Sequence, residues 1–382
     1  MPLKIAKRGS IPPFIALEVL RAANERSAAG DDVLHLEIGQ PATGAPRAVV
    51  EAAKRALETD ALGYTEALGL PALRRRIARH YAETYGVEID PARVAVTTGS
   101  SGAFLLGFLA AFDPGDRVAL ASPGYPAYRN ILMALGITPV DLPTGPETRF
   151  QPTPALLDAV DGRLDGLIVA SPSNPAGTML DAAALRDLVA YCAERGIRFV
   201  SDEIYHGISY GKEPATVASL TEDALIVNSF SKYFAMTGWR LGWMVLPPSL
   251  LRPVERLAQS LFISPPTLPQ HGAMAAFDCR EELDANVRRY AENRARLLEE
   301  LPKAGFDRLA PSDGAFYLFA DVGRLTNDSE AFCRRMLAET GVAMTPGRDF
   351  DPERGHRYLR ISFAGSAADI DEALRRLIAW RR

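Results

Sequence analysis

Lys232 lies in the run Ser229-Phe-Ser-Lys-Tyr-Phe-Ala-Met-Thr-Gly-Trp-Arg240, directly after an apolar stretch, Ala224-Leu-Ile-Val-Asn-Ser, that reads as a strand. A lysine there offers an amine nucleophile. Ser229, Ser231 and Arg240 offer hydroxyls and a guanidinium, the groups that grip a phosphate. Either part alone is most often a solvated surface feature, but the combination is much rarer. One cofactor needs both: pyridoxal 5′-phosphate, whose aldehyde condenses with lysine and whose phosphate must be anchored while its ring does the electronic work.

The run resembles the cofactor-lysine signature of the class I and II aminotransferases, fold-type I pyridoxal phosphate enzymes of the aspartate aminotransferase superfamily. The resemblance implies that Lys232 carries the cofactor as a Schiff base, and the rest of the chain can be searched for the other parts. Asp202 follows Phe199-Val-Ser at a strand end. It reads either as a helix N-cap or, in the family pattern, as the carboxylate that keeps the pyridine nitrogen protonated. Tyr205 is a core or interface tyrosine by default; the resemblance makes it a donor to the cofactor's phenolic oxygen. Lys232, Asp202 and Tyr205 are thus the implied catalytic set. Asn174, in Ser-Pro-Ser-Asn-Pro, is either a turn residue before Pro175 or a second donor to that oxygen. Tyr125 is a packing aromatic or the ring that stacks on the cofactor, with Tyr128 a second candidate for the stack.

Gly99-Ser-Ser-Gly opens an apolar helical run, Ala103-Phe-Leu-Leu-Gly-Phe-Leu. Such turns are often mere connectors, yet small residues at a helix N-terminus let backbone N–H groups approach an anion. Ser100, Ser101 and Gly102 therefore join Ser229, Ser231 and Arg240 as expected phosphate ligands. Tyr64 resembles the tyrosine that reaches the phosphate of the neighbouring subunit, which implies a homodimer with shared sites. Arg360, in Tyr358-Leu-Arg-Ile-Ser-Phe-Ala, sits in a short apolar strand, where an arginine is usually an exposed edge residue and an inward one needs an anion. The resemblance assigns it the substrate α-carboxylate, with Gly39 and Asn174 lining the same pocket. Glu203 and His206 share the Asp202 motif and are read as structural.

Positioning these groups requires a scaffold, and the chain supplies an α/β one. From about residue 90, Arg93-Val-Ala-Val, Arg117-Val-Ala-Leu, Gly166-Leu-Ile-Val, Ile197-Arg-Phe-Val, Ala224-Leu-Ile-Val and Trp243-Met-Val-Leu read as buried, mostly parallel strands alternating with helices. In the helix from Asp181 to Arg195, Leu185, Leu188, Val189 and Cys192 share a face, Asp181 is a plausible N-cap and Gly196 ends it. Five polar constellations follow five successive strands, and ligands in open α/β sheets bind at strand carboxyl ends, so one shared site is expected. A long charged helix, Glu281 to Leu301, then opens a different pattern. The expected organisation is a large three-layer α/β/α cofactor-binding domain with a mostly parallel sheet, residues 41–277, and a smaller α+β domain from 1–40 and 278–382. That the N-terminal stretch, with one helix over Ala16 to Ala29, packs with the C-terminal lobe is implied by the resemblance.

Composition excludes several other classes. With 382 residues, 47% of them hydrophobic, the chain can bury a large core, and a net charge of −4 argues against nucleic acid or an anionic membrane as partner. Cys192, Cys279 and Cys333 are too few and too scattered for a disulfide framework, the five histidines show no metal-binding spacing, and Lys4, Lys7, Arg8 and Pro12-Pro13 break up any 7 to 15 residue apolar stretch near the start of the sequence. A cytoplasmic protein is expected. The reaction implied is ping-pong transfer of an amino group from an L-amino acid to a 2-oxo acid; C–S β-elimination on the same scaffold is the alternative, and a silent ligand sensor a remoter one. Ser100-Ser101-Gly102 offers no lysine inside the phosphate-binding helix, and the segment expected over the substrate, Ile11-Pro-Pro-Phe-Ile-Ala-Leu17, is apolar. Neutral, aliphatic or aromatic donors are therefore expected to outperform aspartate, unless a cation such as Arg21 or one from the partner subunit swings in.

Overall fold

A computed structural model describes residues 3–381, so residues 1–2 and 382 of the expected small domain lie outside it. Among the described residues, twelve strands build three sheets. The first, β1 (Leu34–His35), belongs to a small sheet; β2 (Val94–Thr97), β3 (Arg117–Ser122), β4 (Thr138–Pro143), β5 (Gly166–Ala170), β6 (Arg198–Asp202), β7 (Leu225–Ser229) and β8 (Gly242–Val245) form the large one. Its order is β2-β8-β7-β6-β5-β3-β4, parallel throughout except that β8 runs antiparallel to both of its neighbours. Strands β2, β7 and β8 are buried at every position. This is what continuous Val/Ile/Leu runs predict for a sheet covered on both faces.

The exception is β4, which the sequence reading did not anticipate. Its exposed and half-buried positions, with Leu142 alone fully buried and prolines at Pro139 and Pro143, make the pattern of an edge strand rather than a buried one. The helix Ala182–Arg195 forms as expected: the Asp181 carboxylate accepts from the Ala184 N–H, and Gly196 closes it at φ 66°.

Beyond the helix Arg280–Glu300, four strands complete the fold: β9 (Tyr317–Asp321), β10 (Val342–Ala343), β11 (Thr345–Pro346) and β12 (Tyr358–Ser362). They form the antiparallel sheet β11-β12-β9 and the parallel pair β1-β10. The β1-β10 pair stitches the N-terminal segment to the C-terminal lobe. A second tie is the buried Asp349, whose carboxylate accepts from the backbone N–H groups of Ile15 and Ala16 at 2.8 and 3.2 Å. It thereby caps the helix Ile15–Ala28, whose own N-cap residue, Phe14, supplies no side-chain acceptor.

Candidate active site

The carboxyl ends of the central strands converge as the polar constellations suggested. Asp202 is the last residue of β6 and Ser229 the last of β7, while the helix Gly99–Ala111 opens just past β2. Lys232 follows β7, and its Nζ donates to the Gly39 carbonyl at 2.7 Å, a contact between the N-terminal segment and the carboxyl end of the sheet. Part of the lysine side chain faces open space. The protein packed around its amine, then the cations of Arg360 and Arg240, nonetheless lower its pKa to about 8, with Asp202 opposing them.

Asp202 is 3% exposed. Its carboxylate accepts from the Ile204 N–H at 3.1 Å and from the Tyr128 hydroxyl, and burial raises its pKa to about 6. A protonated ring nitrogen placed against it would offset that burial and hold the carboxylate ionised. Tyr128 therefore occupies the Asp202 carboxylate. Tyr125 lies one helical turn earlier, its ring 5.2 Å from that of Tyr128 and 5.7 Å from that of Phe14, edge-on to both.

On the anion side, Thr98 gives the helix Gly99–Ala111 no side-chain cap, so its first-turn N–H groups at Gly99, Ser100, Ser101 and Gly102 remain available. The Arg240 guanidinium is packed against this turn. A Cβ on Gly99, which sits at φ +68°, would lie 2.5 Å from Arg240 Nη2. Arg240 itself adopts the left-handed region at φ 52°, as does Ala235 at φ 54°, and such backbone strain is retained where surrounding structure requires it. The Ser229 hydroxyl donates to that of Ser231 at 2.9 Å, and both are buried. An uncapped helix N-terminus, two serines and a guanidinium fit a phosphate ester, and the lysine and buried carboxylate fit an aldehyde-bearing pyridine.

Arg360 reaches this cleft from β12. It points inward, 3% exposed, with Nη1 donating to Asn174 Oδ1 at 3.1 Å and Nη2 to the Glu37 carbonyl and to Thr345 Oγ1 at 3.2 Å. The rings of Tyr317 and Phe350 flank the guanidinium at 4.4 and 4.8 Å, and its Nε is buried without a partner. Tyr205 lies close by, its hydroxyl 2.8 Å from that of Tyr317.

Glu203 and His206 face away from this cleft. Glu203 is held by Ser201, Thr216 and the Val217 N–H, and burial raises its pKa to about 7. His206 bonds Tyr85 at 2.9 Å and the Ser171 carbonyl at 3.0 Å. Tyr64 is not brought into the site: it stands 83% exposed on the single chain. Tyr317, Glu37 and Thr345 were not anticipated. The apolar strand Tyr317-Leu-Phe-Ala holds the first as an ordinary core tyrosine would be held, and the second acts through its backbone, which no side-chain pattern reports.

Comparison with known proteins agrees with this geometry. The family described as "Aminotransferase class I and II" matches residues 31–377, and the chain belongs to it. The chain is 50% identical over 381 residues, covering 99% of itself and 98% of the relative, to a Mycobacterium tuberculosis (strain ATCC 25618 / H37Rv) protein named valine–pyruvate aminotransferase. A crystal structure of an aminotransferase from M. tuberculosis superimposes with a TM-score of 0.97 at 50% identity, over 99% of both chains. Aspartate aminotransferase from Thermus thermophilus with maleate does so at 0.91 and 32% identity, over 99% of this chain and 100% of that one. The protein is an aminotransferase of fold type I.

Proposed function

We propose that this chain uses pyridoxal 5′-phosphate to move the amino group of a neutral L-amino acid to a 2-oxo acid, working as a homodimer with shared sites. The observation that carries the reading is the meeting of Lys232, Asp202 and Arg360: three separate elements bring them close enough for Arg360 and Asp202 to shift the lysine's pKa in opposite directions. When bound, the cofactor supplies an aldehyde that condenses with amines and a ring that takes up the electron pair left as a Cα–H bond breaks.

The residues supply the rest. The first turn of the helix Gly99–Ala111, Ser229, Ser231, Arg240 and the partner subunit's Tyr64 hold the phosphate. Asp202 keeps a proton on the pyridine nitrogen, and Tyr128 orients that carboxylate. Asn174 and Tyr205 donate to the phenolic oxygen while Tyr125 packs on the ring. Arg360 and Gly39 hold the donor's α-carboxylate and so aim its Cα–H bond. Lys232, its amine partly neutral near physiological pH, takes and returns the Cα proton.

Donor choice follows from what surrounds the side chain. Phe14 sits against Tyr125, and Arg21 extends into solvent beside Glu25, its side chain 75% exposed, so no cation from this stretch meets a second carboxylate. The relative named for valine and pyruvate supports a neutral aliphatic donor and pyruvate as acceptor. The reading also keeps the division into a cofactor-binding lobe, 41–277, and a smaller lobe, 1–40 with 278–382. Three free cysteines, and no helix among the described residues long and apolar enough to cross a membrane, suit the cytoplasm. The test is a donor panel in half-reactions, reading conversion of the bound cofactor to its amine form. Valine, alanine or an aromatic amino acid should exceed aspartate in kcat/KM; aspartate ahead by about tenfold, or 1.4 kcal/mol, would overturn the pocket reading.

A further inference from the structure

Tyr317 touches three parts of the candidate site at once. It opens β9 at 1% exposure, with its hydroxyl 2.8 Å from the Tyr205 hydroxyl and its ring face 4.4 Å from the Arg360 guanidinium carbon. The hydroxyl reaches that position only because residue 39 is glycine. A Cβ on Gly39 would lie 1.7 Å from the Tyr317 oxygen, and the Gly39 carbonyl is the acceptor for Lys232 Nζ.

The hydrogen-bond arithmetic constrains what the hydroxyl does. Burial raises the pKa of both tyrosines, so each keeps its single proton and one of the two donates to the other. Among the described residues, Tyr205 is the one hydrogen-bond partner of the Tyr317 hydroxyl. If Tyr317 donates, the Tyr205 proton is left free to point into the site. A donor that itself accepts a bond is polarised and donates more strongly. The ring has a separate task. With Phe350 on the other side at 4.8 Å, it leaves the guanidinium able to reach neighbours only through its edge.

We propose that Tyr317 is a positioning residue with two separable actions: its hydroxyl donates to Tyr205 and strengthens the bond Tyr205 gives the cofactor's phenolic oxygen, and its ring face fixes Arg360 for the substrate carboxylate. This rests on the roles given above to Tyr205 and Arg360. A stronger bond to the anionic phenolic oxygen lowers the pH at which the lysine-bound chromophore titrates.

The experiment is a pH titration of the visible absorption of the purified holoenzyme, with KM for valine measured alongside. Cooperative strengthening of about 10–30% on a charge-assisted bond predicts that Tyr317→Phe moves the titration upward by about 0.1–0.7 pH unit. KM should stay within about twofold of wild type, because the ring remains. Tyr205→Phe should move the titration further, and the Tyr205→Phe/Tyr317→Phe double variant no further than Tyr205→Phe alone. Tyr317→Met, which roughly keeps volume but removes the π face, should raise KM by about 2- to 30-fold. The proposal is overturned if Tyr317→Phe titrates with wild type, if the double variant shows the sum of the single shifts, or if Tyr317→Phe raises KM as much as Tyr317→Met. The Tyr317→Phe and double-variant arms decide the hydroxyl action even if Tyr317→Met does not fold. Failure of the underlying functional reading looks different: the wild-type protein would then carry no chromophore that borohydride fixes to Lys232.

Discussion

Replacing Arg360 by lysine should sharply weaken recognition of the donor's carboxylate while leaving chemistry on amines intact. An arginine has five N–H donors, and three of those on Arg360 are engaged, by Asn174, the Glu37 carbonyl and Thr345. Two remain, one of them on the buried Nε that has no protein partner. Two bonds to a carboxylate at about 1.5–3 kcal/mol each give about 3–6 kcal/mol, or about 10²- to 10⁴-fold in kcat/KM. Lysine keeps the charge but not the planar fork, so Arg360→Lys should fall near the lower end, about 10²-fold for valine. The assay is the single-turnover rate of cofactor conversion against donor concentration, run in parallel with 2-methylpropylamine, which is valine without its carboxylate. Wild type should prefer valine strongly, and the variant should lose about 10²-fold of that preference with its amine rate unchanged. A variant within fivefold of wild type on valine would refute the assignment; an amine rate falling in parallel would show that Arg360 acts only by holding the fold together.

Lys232→Ala should retain cofactor through the phosphate contacts and lose essentially all turnover; borohydride fixing cofactor to another lysine in wild type would contradict the role. Tyr64→Phe should weaken cofactor retention by about 1.5–3 kcal/mol, about 10- to 150-fold in Kd, and sedimentation of the wild type as an active monomer would remove the reason to expect it. Glu203 should make folding pH-dependent in the sense opposite to an ion-paired carboxylate. Burial raises its pKa from 4.5 to about 7, so the folded chain binds the proton more tightly than the unfolded one. Its stability contribution is complete below about pH 4.5 and is lost as pH rises to about 7, a change on the order of 3 kcal/mol at 1.36 kcal/mol per pH unit. Thermal melts of Glu203→Gln against wild type should therefore favour the variant more at pH 8 than at pH 5, and a difference independent of pH would count against this.

The elements that read clearly from the sequence were those whose stability is local or whose burial is complete. Asp181 and Gly196 bracket their helix because capping depends on adjacent residues, and β5 to β8 were recognisable by the short apolar runs they contain. β4 was not, because an edge strand needs neither hydrophobic continuity nor freedom from proline. Within the site, strand-end position was enough to gather Asp202, Ser229 and Lys232. The partners that tune them come from elsewhere in the chain. Tyr128 had been a second candidate for stacking, and its spacing from Tyr125 places both on one helical face without saying which meets a carboxylate. Tyr317 depends on an absent side chain at Gly39, and Glu37 contributes a carbonyl that any residue would supply.

Charge balance gives the site its direction. Around Lys232 the folded chain sets two further cations, Arg360 and Arg240, against one carboxylate, Asp202. Arg240 stands exposed, but Arg360 is 3% exposed, and a buried cation without a matching anion is costly, so a chain folding for stability alone would pair it or leave it in solvent. Glu37, the acidic residue whose backbone meets Arg360, turns its carboxylate to His35 at 2.7 Å and offers Arg360 only its carbonyl. On the proposed reading, the unmatched charge is held open for anions that arrive from outside. It is divided in space, with one guanidinium at the uncapped helix of Gly99 and the other across the cleft on β12 beside Asn174. A phosphate suits the first and a carboxylate the second, and the lysine whose pKa both guanidiniums lower regains basicity as each anion binds. On the proposed reading, ligand binding in this site thus prepares Lys232 as the base that the reaction needs.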